Sequence, residues 1–321
     1  MRIYKSELRI IKDEEIEEGP EFLLSWGFDL DGLKASLERI GQVTPLLLRP
    51  DGTRFKLICG FRRLTAMREL GSREVTGLIL PDEISRKDAL LLALEENLSH
   101  RRFNNAEKVL ALSHLSSVFQ KDEVIRDYLP RLGLPPKDVV LSRYLSLSEL
   151  GTDAFSALAG GELDPEAAEL LLNFHKQDRS ALMSLFKLLR PSRNKRREIV
   201  IWTYEIFKRD GLSVENLLDE PDFRKVLNAD NLSRPEKEKR IRSLLHARRF
   251  PNLRKAQKEQ TRLLNILNLS KNLELNPPQN FEGLDFTMNF TFTDLPGLKT
   301  RVKELERLAS SPEMAALIDL G

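Results

Sequence analysis

The stretch Leu57-Ile58-Cys59-Gly60-Phe61-Arg62-Arg63-Leu64-Thr65-Ala66-Met67-Arg68-Glu69-Leu70-Gly71 decides how the rest of this chain is read. Phe55, Leu57, Ile58 and Cys59 form a short apolar run that predicts a strand, Gly60 a turn, and Arg62 to Leu70 a helix closed by Gly71. A strand that turns directly into a helix aims the unpaired N–H groups of the first helical turn outward, where the macrodipole favours an anion. Gly60 lets a phosphate approach the backbone, and Arg62 and Arg63 bring positive charge to the same spot. Taken alone, such a tetrapeptide is more often a glycine turn carrying two solvated arginines.

Around this stretch the pattern is α+β. Residues 3–11 suit an edge strand, and the acidic run from Asp13 to Glu18 a solvated loop. Asp31 to Ile40 predicts an amphipathic helix with Leu33, Leu37 and Ile40 on one face, ending at Gly41. Leu46 to Arg49 and Phe55 to Cys59 form a hairpin about Asp51-Gly52, and Val75 to Leu80 a further strand. A helix beginning near Ser85 leads into Glu95-Glu96-Asn97-Leu98-Ser99-His100-Arg101-Arg102-Phe103-Asn104-Asn105-Ala106-Glu107.

Gly60-Phe61-Arg62-Arg63 and Glu96-Asn97-Leu98, in that order and at that separation, resemble the N-terminal domain of the ParB partition-protein family, whose motifs read Gly-Glu-Arg-Arg and Glu-Asn-Leu-Gln-Arg. Leu33, Ser36, Leu37, Ile40, Gly41, Gln42, Pro45 and Leu46 fit the family's opening block. The resemblance implies a CTP-binding domain. Gly60, Arg62 and Arg63 would hold the phosphates, Asn97, Gln42 and Pro45 would complete the nucleotide site, and Glu96 with Asn97 would hold Mg2+. Two departures bear on this. Phe61 stands where the family has a glutamate associated with hydrolysis, so at most a weak CTPase is expected, and no catalytic residue is assigned. His100 stands where an arginine is expected, with Arg101 one place later, which implies an altered grip on the triphosphate.

From Asn104 the pattern becomes wholly helical, with Val109, Leu110, Leu112, Leu115 and Phe119 at helical spacing behind an Asn cap. Val124 to Leu145, with a turn at Gly133 and Pro136 at a second helix start, fits a helix-turn-helix. Its second helix would lie in a major groove, with Lys137, Asp138, Leu141 and Ser142 facing base edges and Arg131 and Arg143 placed for phosphate. Any two short packed helices give the same pattern. In the family, however, a helix-turn-helix follows at this distance, and Gly161-Glu162-Leu163-Asp164-Pro165 resembles a further family segment. Double-stranded DNA is therefore the expected partner, without the family's standard centromere sequence. The basic run containing Arg193, Lys195, Arg196 and Arg197 serves equally as a solvated face or for phosphate neutralisation.

In the last segment, Leu253 to Leu269 predicts a helix, Pro277-Pro278 a turn near Gly283, and Leu298 to Leu308 a closing helix. Between them Leu284, Phe286, Met288, Phe290 and Phe292 alternate onto one sheet face, which needs helices or a second chain against it. This helix, strand, strand, helix layout is similar to the ParB dimerisation domain and implies a homodimer.

Bulk properties set outer bounds. The chain has 321 residues with 51 basic against 49 acidic, a net charge of +2, so local patches rather than a global field must recruit nucleic acid. A single Cys excludes a disulfide framework and a multi-cysteine zinc site within one chain. No apolar run reaches a membrane span, Met1 to Lys5 lacks a signal-peptide core, and a cytoplasmic, nucleoid-associated protein is expected. The expected organisation is a ParB-like nucleotide-binding domain at 1–103, a helix-turn-helix domain at 104–190, a basic helical segment or linker at 191–252 and a dimerisation domain at 253–321. The expected function is a CTP-gated clamp dimer for chromosome or plasmid partition, with a partition ATPase as a candidate partner. The alternatives are an enzyme on the same N-terminal fold (a small-molecule kinase or a nuclease), a transcriptional regulator, or a scaffold with neither ligand.

Overall fold

The computed structural model describes residues 5–27, 29–276 and 285–319. The chain divides into two compact units, one running to Tyr204 together with Ser213–Glu215, the other comprising Glu205–Leu212 and the chain from Asn216 onward. The division falls inside a helix, whereas the sequence suggested breaks at 103, 190 and 252.

The first unit opens with a small mixed sheet. Its strands are β1 (Glu7–Lys12), β2 (Ile16–Glu17), β3 (Leu46–Asp51), β4 (Arg54–Cys59) and β5 (Glu74–Ile79), in the spatial order β1-β5-β3-β4-β2. β3 runs antiparallel to β4 through the Gly52 hairpin and parallel to β5. The acidic run is not simply a loop: Asp13–Glu15 forms a single helical turn and Ile16 is buried where β2 joins β4 in parallel. The one apolar side chain in that run has a core position to fill. Helices α1 (Asp31–Ile40), α2 (Phe61–Glu69) and α3 (Arg86–His100) accompany the sheet, and Leu46, Leu48, Leu57, Ile58, Leu64, Ala66 and Leu94 form its buried interior. α3 starts at Ser85, whose hydroxyl accepts from the Asp88 amide, and its last turns pack on the C-terminal end of β4.

Beyond Arg101 the unit is helical: α4 (Asn105–Ser116), α5 (Lys121–Glu123) continuing into a π turn at Val124–Tyr128, α6 (Asp138–Ser146), α7 (Thr152–Ala159), α8 (Pro165–Leu171), α9 (Lys176–Leu189) and, as far as Tyr204, α10 (Arg193–Asp210). α4 packs on both α6 and α7, with Val109, Leu112, Leu115, Leu141 and Tyr144 buried.

The second unit holds α11 (Val214–Asp219) from its third residue onward, then α12 (Pro221–Leu227), α13 (Arg234–Arg249), α14 (Pro251–Leu267), strands β6 (Leu273–Asn276) and β7 (Thr287–Phe290), α15 (Leu295–Ala309) and α16 (Pro312–Ile318). Residues 191–252 lie mostly in helices, from α10 into the start of α14. β6 and β7 pair antiparallel, with Leu275 opposite Met288 and Leu273 opposite Phe290. Leu263, Leu267, Leu273, Leu275, Leu308, Met314 and Leu317 make a common core, against which Phe286 and Met288 pack. The alternation continues past this strand, but Phe290 and Phe292 stay 36% and 52% exposed. Pro277, Pro278, Gly283 and Leu284 lie outside the described residues.

Candidate functional site

The Gly60 turn forms as its sequence requires. Gly60 caps α2 with φ of 104°, in the left-handed region, and a Cβ placed there would sit 2.6 Å from Leu46 Cδ2. Both facts favour glycine. The first residues of α2 border a cleft of about 350 Å³ lined by Leu24, Ser25, Leu33, Thr44, Cys59, Gly60, Phe61, Arg62, Arg63, Glu96, Asn97, His100 and Arg101. The lining carries three guanidinium groups and one carboxylate. Two of the three are ion-paired, Arg63 with Glu96 and Arg101 with Glu107, which stands just behind the lining, so an anion in the cleft must compete with these carboxylates.

The two motifs meet at this cleft. Arg63 Nη2 lies 3.1 Å from Glu96 Oε1, and Arg63 Nη1 donates to the carbonyls of Thr44 and Pro45 at 3.0 and 3.1 Å. The buried Cys59 thiol donates to Glu96 Oε2 at 2.9 Å, and burial, then the neighbouring Glu96 carboxylate, pushes its pKa up to about 12. A thiol so held stays protonated, which suits it to orienting Glu96 and not to redox chemistry. Asn97 donates to the Ala93 carbonyl at 2.8 Å and accepts from Arg101 Nε and Nη2 at 3.2 and 2.9 Å. Arg62 Nη2 donates to the Asp29 carbonyl.

Two of the expected nucleotide residues stand elsewhere. Gln42 spends its amide on main chain: Nε2 donates to the carbonyls of Thr44 and Thr76, and Oε1 accepts from Thr76 N at 2.7 Å, so it fastens the approach to β3 against β5. Pro45 is not among the lining residues; its carbonyl anchors Arg63. Arg101, the arginine displaced by one place in the sequence, lines the cleft but is engaged within the fold. Its Nη1 pairs with Glu107 at 2.6 Å, and that carboxylate, 3% exposed, also accepts the Asn104 amide in the capping box of α4. The Asn-x-x-Glu signature was legible; the second use of its glutamate was not.

Among the described residues no three His, Cys, Asp or Glu side chains are grouped to hold a metal. Magnesium, however, commonly takes one or two carboxylates, phosphate oxygens and water. Glu96 fits that pattern beside a bound triphosphate, provided its pairing with Arg63 opens.

The helix-turn-helix candidates fall into three groups. Lys137, Asp138 and Ser142 are exposed at the start and along one side of α6, with Asp138 2.5 Å from Lys121. Leu141 is 1% exposed and belongs to the core, because it shares the buried arc of α6 with Tyr144. Val139, passed over in the sequence, is 59% exposed. Arg143 is committed to Glu166 and Glu169 at 3.0 and 2.7 Å, and Arg131 to Glu95, so neither is the open phosphate ligand first expected. In the basic run Arg193 and Arg197 are exposed and Lys195 is half-buried. Arg196 is buried, pairs with Glu162 at 2.6 Å, donates to the Pro191 carbonyl and stacks over Phe186; it stitches helices together.

Residues 27–98 match the family model described as the ParB N-terminal domain. The chain is 31% identical over 151 residues to the chromosome-partitioning protein Spo0J of Thermus thermophilus, a match covering 47% of this chain and 53% of the relative. It is 31% identical over 143 residues to a probable chromosome-partitioning protein ParB of Coxiella burnetii, covering 44% of this chain and 47% of the relative. These matches span about half the length of both relatives. Among solved structures, the C-terminally truncated ParB of Caulobacter crescentus complexed with CTP-gamma-S is similar over 56% of this chain and 98% of that one, at 21% identity and a TM-score of 0.27. A likeness of that extent fixes no side chain. No helix among the described residues is long and apolar enough to cross a membrane.

Proposed function

We propose that this chain, with its ParB N-terminal domain at residues 27–98, is a CTP-responsive DNA-binding protein of chromosome or plasmid partition. The observation that carries the proposal is the Arg63 to Glu96 juxtaposition at the N-terminus of α2, where an anion site and a candidate magnesium ligand share one cleft. Arg62, Arg63 and Arg101 would hold the phosphates at the start of α2, with Arg63 giving up Glu96 to do so. Glu96, oriented by the Cys59 thiol, would then be free to hold a magnesium ion, which would neutralise phosphate charge.

The nucleotide acts by linkage. A ligand at a hundred times its dissociation constant biases a two-state equilibrium by roughly 2.7 kcal/mol, so no hydrolysis is needed to switch it. Phe61, 6% exposed where the family glutamate would stand, offers no oxygen to metal or water, and the chain is proposed to turn CTP over slowly or not at all. DNA meets the exposed start of α6, and Arg193 and Arg197 add phosphate contacts. The β6–β7 sheet, with Phe290 and Phe292 uncovered, is proposed as the homodimer contact that closes a clamp. A partition ATPase and the nucleoid follow as partner and location if the clamp holds.

Calorimetry with CTP, ATP and GTP in the presence of Mg2+ tests the nucleotide site. CTP preference is expected, with affinity falling about a hundredfold in Arg63→Ala, as for loss of a charge-assisted phosphate contact. Equal affinity in that variant, or ATP consumption with a small acceptor, overturns it.

A further inference from the structure

This inference rests on the proposed DNA contact of α6 and assigns one of its specificity contacts. In the first turn of α6, Val139 is among the most exposed large apolar side chains of the chain, while its neighbours turn inward: Val140 is half-buried and Leu141 is in the core. At about 100° per residue, Asp138, Val139 and Ser142 span one arc of the helix, opposite the arc of Leu141 and Tyr144. A β-branched residue is a mediocre helix former, and at 59% exposed this one recovers little of the cost by packing. Around it stand Lys137, exposed at the N-cap, and Asp138, which with Lys121 holds the start of α6 to the start of α5. The N-terminal residues of the second helix in a helix-turn-helix are the ones that reach base edges. In the major groove the apolar feature offered by a base pair is the C5 methyl of thymine.

We propose that Val139 reads a thymine methyl, making it a specificity-determining residue for duplex DNA. The contact is non-directional and short, so it discriminates by one methyl group's worth of burial. Roughly a fourfold preference for thymine over uracil at a single position follows from the transfer free energy of one such group.

The test uses the full chain. A duplex is first selected from a random-sequence pool, and each thymine of that duplex is then replaced singly by deoxyuridine, which deletes the methyl and leaves pairing intact. One position is expected to lose roughly fourfold in affinity. In Val139→Ala the same substitution is expected to cost nothing, and Val139→Ile is expected to restore the penalty. Because Val139 is exposed, both variants should melt with the parent. If a duplex is selected but carries no uracil-sensitive thymine, or if the sensitivity survives in Val139→Ala, this assignment is wrong while the DNA contact stands. If no duplex is enriched but any duplex binds in a salt-dependent way, the assignment is wrong while the DNA contact stands; if no duplex binds at all, the DNA contact fails, and the assignment with it.

Discussion

At the Gly60 corner the functional side chains are held before any ligand arrives: Arg63 rests on two carbonyls and a carboxylate, Glu96 on a guanidinium and a thiol. On α6 the reverse holds, since Lys137, Val139 and Ser142 extend from the helix into the open. A preorganised site gains affinity because little ordering remains to be done, whereas an exposed face must order its side chains on contact. The difference predicts that mutations at the corner act on both stability and binding, and that mutations on α6 separate the two.

The sharpest test of that division is Gly60→Ala. Left-handed backbone and the approach of Leu46 together should lower stability by about 2–4 kcal/mol, seen in denaturant unfolding, with nucleotide binding lost in parallel. On α6, Leu141→Ala should cost about 3 kcal/mol by leaving a core cavity, whereas Ser142→Ala should leave the unfolding midpoint within about 0.5 kcal/mol. A large effect at Ser142 would erase the contrast between the regions. Smaller again, Lys137→Ala should weaken binding to any duplex and reduce the salt dependence of log K by about 1, with no change in melting.

The smallest expected effect is on pH. His114, on α4 between the regions, has a buried Nε2 without a hydrogen-bond partner, and burial lowers its pKa in the folded chain. With the folded pKa below the unfolded one, the unfolded chain binds more protons as pH falls through the ordinary histidine range near 6.5. Stability present above that range is therefore lost below it. Denaturant midpoints measured between pH 5 and 7.5 should show a decline toward acid that His114→Gln flattens.

The corner was legible because its chemistry is imposed by backbone: a glycine after a strand and before a helix has few conformations available, and Gly41 and Gly52 also mark ends that the structure keeps, with φ of 73° and 64°. Side-chain partnership was less legible. Val139, Val140 and Leu141 are consecutive apolar residues, so periodicity alone cannot set the phase of a helix of nine residues, and Leu141 was turned outward in error. Arg143 and Arg196 read as free cations because their carboxylates, Glu166, Glu169 and Glu162, come from segments that only folding brings alongside. Gln42 fell in a nucleotide block, yet its amide completes a sheet, a role that needs Thr76 in register.

Glu107 gives the molecule one joint shared by two tasks. Its carboxylate holds the start of α4 and neutralises Arg101 at the mouth of the cleft, and the Asn105 that begins α4 accepts from the Tyr144 hydroxyl on α6 at 2.9 Å. An anion that drew Arg101 away would leave a nearly water-free carboxylate short of countercharge. The carboxylate at the edge of the cleft and the asparagine that receives α6 thus stand two residues apart in one helical turn.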